Sequence, residues 1–359
     1  MKANSVMQID GVSIGDDQPV YFIADIAANH DGDLSRAQDL IYLAAESGAH
    51  AAKFQHFTAD TIVSDIGFRS LSNLSSHQSN WSKSVYDVYK SAALELNWTE
   101  VLVETCKKAG ISFFTSPYSL ELVDFIDSYV PAYKIGSGDI TWIEIVEYIA
   151  RKNKPYIIAS GASDISDVHR VMASAISINP NVCLMQCNTN YTAKLENFKH
   201  INLRVLNLYR QMYPNLILGL SDHTPGHSTV LGAITLGARM VEKHFTDDIK
   251  RSGPDHVFSM DRKSWREMVD RSCELQFALG NGIKKIEANE AETVVLQRRS
   301  IRAKKNILAG SLFQKQDFEL LRPCPLNALP PYRIDDIYGK VCRRDISLGD
   351  YLTCQDLED

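Results

Sequence analysis

No apolar run in this 359-residue sequence approaches the roughly eighteen uninterrupted residues that a membrane-spanning helix needs, so it does not read as a membrane protein. An excess of cations is missing too. The formal net charge is −6, which argues against wholesale nucleic-acid binding but leaves room for a local Lys/Arg cluster that holds an anion. The cysteines (Cys106, Cys183, Cys187, Cys273, Cys324, Cys342 and Cys354) are odd in number and scattered, and no CxxC occurs. Neither a disulfide framework nor a thiolate zinc site is expected. The opening stretch, MKANSVMQIDG, is polar and carries no apolar signal segment. The expectation is a soluble, cytoplasmic chain with no nucleic-acid partner and no membrane contact.

What the sequence does have is alternation. Eight short runs rich in Val, Ile, Phe and Tyr end in polar or small residues: VYFIADIAA, HAAKFQH, ISFFTSPY, AYKIGSG, YIIASG, VCLMQCN, LILGLSDH and MVEKHF. Amphipathic stretches lie between and after them, among them LSRAQDLIYLAAESG, WTEVLVETCKKAG and SWREMVDRSCELQFALG, with Gly48 and Gly110 as stop signals. Strand–helix alternation predicts parallel strands, and eight units predict an α/β chain folded as a (β/α)8 TIM barrel. A doubly wound sheet is the alternative, weakened because no glycine-rich fingerprint follows the first strand. Residues 57–95 form an unusually long connection, read as a lid or subunit-contact loop over the barrel mouth. After Gly280 the texture becomes charged and then turn-rich. The division expected is a barrel over 1–282, a linker over 283–297 and a small, mostly β domain over 298–359. The last has a pseudo-repeat, with turns ending at Gly310 and Gly349 and a late Asp in each half.

In such a barrel the strands' C-terminal ends carry the chemistry. His223 closes the seventh strand and His244 nears the end of the eighth, a pairing suited to a divalent ion such as Mn²⁺. Two ordinary polar histidines are the bland alternative. Lys53 and Lys134 are costly inside a barrel unless an anion accompanies them: a bound phosphate or carboxylate, or else a structural partner such as Asp25 or Asp139. Ser116, Ser137, Ser160 and Ser221 end four strands and suit phosphate oxygens, although serine is common at strand ends. Asp25, beside Asn29 and His30, is placed for proton transfer or, more dully, for capping.

Taken together, ANHDGDLSRA, AAKFQ, YKIGSGD, GLSDHTPGH, EKHFTDD and SGPDHVFSM resemble the sialic acid synthase family, which includes legionaminic and pseudaminic acid synthases. RRSIRAKKNILAG, LLRP and YGKVCRRDISLGD resemble its antifreeze-like (SAF) domain. The resemblance covers nearly the whole chain. It implies condensation of phosphoenolpyruvate with the open-chain aldehyde of an N-acetylated amino-hexose. It implies a divalent metal, Mn²⁺ or Mg²⁺, on His223 and His244, and phosphoenolpyruvate contacts at Lys53, Gln55, Ser116, Ser137, Ser160, Thr189 and Ser221. Asp139, Tyr191 and Asp255 are implied as acceptor-sugar contacts, together with Arg322, which would reach the site of the other subunit in a domain-swapped homodimer. Asp25 and Lys53 are the implied catalytic pair.

Three departures accompany the resemblance. Asp25 and Asp139 stand where many relatives have Glu, and CNTNY replaces CTNIY, exchanging Asn188 and Thr189. Shorter acids predict a roomier acceptor pocket than one built for N-acetylmannosamine, which acceptor kinetics would check. Two rival readings remain at this stage: a Schiff-base aldolase using Lys53 or Lys134, and a non-catalytic carbohydrate-binding protein.

Overall fold

The computed structural model describes residues 5–71, 78, 81 and 83–358. It divides into two units, Met1–Gly280 and Asn281–Asp359. The first opens with an antiparallel hairpin, β1 (Val6–Ile9) and β2 (Val12–Gly15). Then follow β3 (Tyr21–Asp25), α1 (Leu34–Glu46) and β4 (Ala51–His56). The connection after β4 holds three short helices, α2 (Ala59–Ile62), α3 (Asp65–Ser70) and α4 (Val85–Ala92). Residues 57–95 are therefore not a bare loop. Positions 72–77, 79–80 and 82 of that segment lie outside the described residues.

Alternation resumes with α5 (Thr99–Ala109), β5 (Ser112–Pro117), α6 (Leu120–Ile126), β6 (Tyr133–Ile135), α7 (Ile143–Ala150) and β7 (Tyr156–Ala159). It continues through α8 (Ile165–Ile178), β8 (Val182–Cys187), α9 (Val205–Met212), β9 (Ile217–Asp222), α10 (Ser228–Thr235), β10 (Ala238–His244) and α11 (Arg262–Leu279). The eight strands expected from sequence are β3 to β10. They pair in parallel in the order β5-β4-β3-β10-β9-β8-β7-β6, and β5 packs beside β6 to bring the ends of the sheet together. This is the (β/α)8 arrangement.

Helices form where apolar residues recur on one face and a polar side chain caps the start. In α1, Asp33 accepts from the Arg36 N–H at 3.2 Å, and Ala37, Leu40, Ile41 and Ala44 are buried. These residues join the core between helices and strands, against Phe22, Ala24 and Phe54. The period of two along each strand turns the other residues inward. Tyr21, Ile23, Phe114, Ile157, Met185 and Met240 fill the barrel interior, where Met7, Ile9 and Ile14 of the hairpin join them.

The second unit begins with α12 (Ala291–Gln297), within the stretch expected as a linker. Next come β11 (Ser300–Ala303), β12 (Phe318–Leu321), β13 (Val341–Cys342) and β14 (Leu357–Glu358), paired as two antiparallel ribbons. The repeat is visible in its polar anchors. Asp317 accepts from the Gln314 N–H at 2.9 Å, and Asp356 from the Thr353 N–H at 2.7 Å. Each buried carboxylate is neutralised by the second residue of a basic pair, Lys305 at 2.7 Å and Arg344 at 2.6 Å. Ile301, Ile307, Phe313, Ile346 and Leu352 make a small core of its own.

Candidate active site at the strand ends

The inward side chains change character along the strands. Above the apolar interior, four charges of alternating sign are buried together. Lys53 Nζ lies 2.6 Å from Asp25 Oδ2 and 3.9 Å from Glu242 Oε1, and Lys134 Nζ lies 3.1 Å from the same Glu242 oxygen. Asp25, Lys53 and Lys134 are each 2% exposed and Glu242 is 5% exposed, so no surface screening weakens these pairs. Burial pulls the Lys53 amine down, but the carboxylates of Asp25 and Glu242 outweigh it and hold the group above its ordinary range. Burial likewise pushes Glu242 up, and Lys134 and Lys53 overcome it, bringing its carboxyl down to about 2. Asp25 moves the other way: burial, the largest effect on it, lifts it despite Lys53. The structural partner of Lys134 is thus Glu242, rather than the Asp25 or Asp139 suggested by sequence.

His244 Nε2 is 3.6 Å from Asp25 Oδ2, and the His223 and His244 ring centroids are 5.4 Å apart. Phe258 packs edge-on against both rings, and Tyr191 lies 4.4 Å from the His223 ring. In this apolar setting burial lowers His223 to about 4 and His244 to about 3, so both imidazoles are neutral. His223 Nδ1 is 3.1 Å from the Asn188 carbonyl, which can only accept. Nδ1 therefore carries the proton, and Nε2 keeps a lone pair. His244 Nδ1 is buried without a hydrogen-bond partner. Two neutral imidazoles with uncommitted nitrogens fit a divalent ion of borderline softness, the protein supplying two donors. Among the described residues no cluster of three or more His, Cys, Asp and Glu side chains stands at ligand spacing.

One residue before each histidine, and so on the outer face of the strands, Asp222 and Lys243 pair at 2.5 Å. Thr224 and Thr229 donate to Asp222 at 2.8 and 2.6 Å. This buried pair ties the ends of β9 and β10 together on that outer face.

A cleft of about 360 Å³ opens above. Gln55, Ser137, Asp139, Thr189, Tyr191, His244 and Asp255 line it, together with Phe57, Ile62, Trp81, Val88 and Tyr89 of the long connection. Described residues of the long connection thus contribute to the lining of this cleft, most of them apolar or aromatic. Burial pushes Asp139 up to about 6 and Asp255 to about 7. Ser137 Oγ and Thr189 Oγ1 lie 2.7 Å apart. They meet there because residue 161 is glycine: a Cβ at Gly161 would stand 1.8 Å from Thr189 Oγ1.

The serines of the strand ends are not equivalent. Ser116 Oγ is buried without a partner, while Ser221 Oγ donates to Glu242 at 3.3 Å. Ser160 Oγ is occupied, donating to the Met185 carbonyl at 2.9 Å and accepting from Tyr209 at 2.8 Å. Arg322 is exposed on the second unit. The residue that sequence reasoning missed is Glu242. The signal was available, since it sits two positions before His244 and so faces the same way.

Comparison with known proteins agrees with this layout. A model described as the NeuB family matches residues 40–284, and the SAF domain matches 298–358. The chain is 33% identical over 351 residues to the N,N'-diacetyllegionaminic acid synthase of Legionella pneumophila, covering 96% of each. It is 30% identical to the pseudaminic acid synthase of Campylobacter jejuni, over 95% of this chain and 98% of that one. Among solved structures it resembles the N-acetylneuraminic acid (sialic acid) synthetase of Leptospira borgpetersenii in complex with citrate, with a TM-score of 0.71 and 25% identity. That match covers 82% of this chain and 96% of the other.

Proposed function

The chain belongs to the NeuB family, and from that premise we propose that it is a nonulosonic acid synthase. It condenses phosphoenolpyruvate with the aldehyde of an N-acetylated amino-hexose, forms a carbon–carbon bond and releases phosphate. The observation that carries this reading is the meeting, at one end of the barrel, of two neutral imidazoles with a buried four-charge cluster, beside a cleft walled by Asp139 and Asp255.

His223 and His244 would hold the divalent ion, Mn²⁺ or Mg²⁺, which when bound polarises a carbonyl oxygen as a Lewis acid. Lys53 and Lys134 provide the positive charge that the phosphate and carboxylate of phosphoenolpyruvate require, with hydroxyls from Ser116, Ser137 and Thr189 around them. Gln55 and Ser221 extend the expected phosphoenolpyruvate set; Ser160, its hydroxyl engaged by Met185 and Tyr209, has no free hydrogen for it. Asp139, Tyr191 and Asp255 face the acceptor, and their fixed positions lower the barrier chiefly by orientation. Carbon C3 of the enol attacks the aldehyde carbon, water adds at C2, and the C–O bond to phosphate breaks. Asp25, with one oxygen on Lys53 and the other accepting from the Ala27 N–H at 3.1 Å, is the group placed to take a proton from that water.

A Schiff-base aldolase would need a neutral lysine, and Lys53 is held protonated by two carboxylates. We assign the barrel to 1–282 and the SAF domain to 298–359, and place the enzyme in the cytoplasm as a domain-swapped homodimer in which Arg322 serves the partner's acceptor site. The test is phosphate release with phosphoenolpyruvate, Mn²⁺ and a panel of acetamido-hexoses, with the product weighed by mass spectrometry. A nine-carbon acid and stoichiometric phosphate are expected. No phosphate with any acceptor, or borohydride trapping with pyruvate in EDTA, would overturn the reading.

A further inference from the structure

We propose that the buried pair Asp31–His256 is a positioning device for the acceptor side of the site, fixing the carboxylate of Asp255 at the cleft. The proposal rests on the synthase reading above and on Asp255 as an acceptor contact. His256 is fully buried, and both of its ring nitrogens are engaged. Nε2 lies 2.9 Å from Asp31 Oδ1, and Nδ1 lies 2.7 Å from Thr246 Oγ1. The other Asp31 oxygen accepts from Arg251 Nε and Nη2 at 3.0 and 2.9 Å. A single carboxylate from the segment after β3 thus grips the segment between β10 and α11 on both sides of Asp255. Asp31 does this from a left-handed backbone conformation, with φ of 53°, which Asp and Asn adopt more readily than most residues.

The packing admits no substitute at the neighbouring turn. A Cβ at Gly253 would stand 2.6 Å from the His256 ring. A second anchor comes from the same segment. The Ala28 N–H donates to Asp255 Oδ2 at 3.1 Å, Ser259 Oγ donates to the Asp255 carbonyl at 2.7 Å, and Asn29 Nδ2 donates to that Ser259 oxygen at 2.9 Å. Asp255 is thereby suspended between two sets of contacts that both originate in residues 28–31. Phe258, which packs on the His223 and His244 rings, rides on the same segment. An ångström of misplacement at a reacting group costs on the order of a hundredfold in rate, so a fixed carboxylate matters more than a nearby one.

The test uses the full-length protein with Mn²⁺, phosphoenolpyruvate, and N-acetylmannosamine or a diacetamido-hexose, whichever the wild type consumes. Phosphate release is followed while each substrate is varied, and melting temperature is recorded alongside. His256→Leu should raise the acceptor KM about tenfold or more while leaving the phosphoenolpyruvate KM within about twofold. His256→Gln, whose amide nitrogen falls near Nε2, should recover most of the loss. Asp31→Asn, which tolerates the same backbone conformation, should lie between them and carries the test if the leucine variant does not fold. Unchanged KM values with activity reduced only in step with the folded fraction, or a glutamine variant as poor as the leucine one, would make the pair a fold element and overturn the proposal. A wild type that releases no phosphate sinks the synthase reading and this inference with it; an active wild type with indifferent variants overturns the inference alone.

Discussion

Where the barrel strands begin, their inward side chains are Tyr21, Ala51, Ile157, Ile217 and Met240, packed with Met7, Ile9 and Ile14. Where the same strands end, the inward side chains are Asp25, Lys53, Lys134, Glu242 and His244, and two of their polar atoms, Glu242 Oε2 and His244 Nδ1, lack hydrogen-bond partners. The backbone ladder is shared, so the difference lies in the side chains alone. The lower half removes apolar area from water and stabilises the fold at about 25 cal/mol per Å². The upper half desolvates charges, which costs several kcal/mol per ion and is offset only while the pairs are complete. A protein needing only stability would fill both halves alike; this one keeps four buried charges at the strand ends.

The sharpest way to break that contrast is at Glu242. Replacing it with alanine leaves Lys134 and Lys53 facing a single remaining carboxylate, and should destabilise the protein by about 3–5 kcal/mol, read from urea unfolding. It should also raise the KM for phosphoenolpyruvate. Adding Lys134→Met should restore part of the stability but none of the activity; a double variant as unstable as the single one would mean the cluster is not a charge-balanced unit. At the lower end, Met240→Ala should cost about 2–5 kcal/mol through the cavity it leaves, with kcat per folded molecule unchanged. A large fall in kcat there would erase the division between the halves.

A smaller effect follows from Asp255. Its folded-state pKa of about 7 lies above its ordinary value of 3.8, so folding favours the protonated carboxyl. The stabilising contribution is complete below about pH 4 and is lost as pH rises through about 7, at up to about 1.4 kcal/mol per pH unit. Asp255→Asn should therefore raise the melting temperature at pH 8 and change it little at pH 4. Equal shifts at both pH values would contradict the burial argument.

The barrel strands were legible because parallel strands covered on both faces read as short apolar runs ending in polar residues. The helices announced themselves by spacing and by the glycine stops at Gly48 and Gly110, both of which take a positive φ; the caps Asp33 and Asp164 went unread. The hairpin β1–β2 went unread because each strand has only four residues, although Asp10 and Gly11, with φ of 46° and 79°, form the kind of turn that signals one. The helices between 59 and 92 hid among Ser and Asn, yet Ser64 and Ser84 cap two of them. His223 and His244 could be foreseen from their strand ends. Glu242 as the partner of Lys134 could not, because β6 and β10 are not neighbours in the sheet and their side chains meet only across the closed interior.

Manganese binding tests the centre of this account most directly. Titrated by electron paramagnetic resonance, the wild type should take up one Mn²⁺ per chain, Met240→Ala should do the same, and His223→Ala and His244→Ala should each lose that uptake. Undiminished binding in the two histidine variants would contradict it.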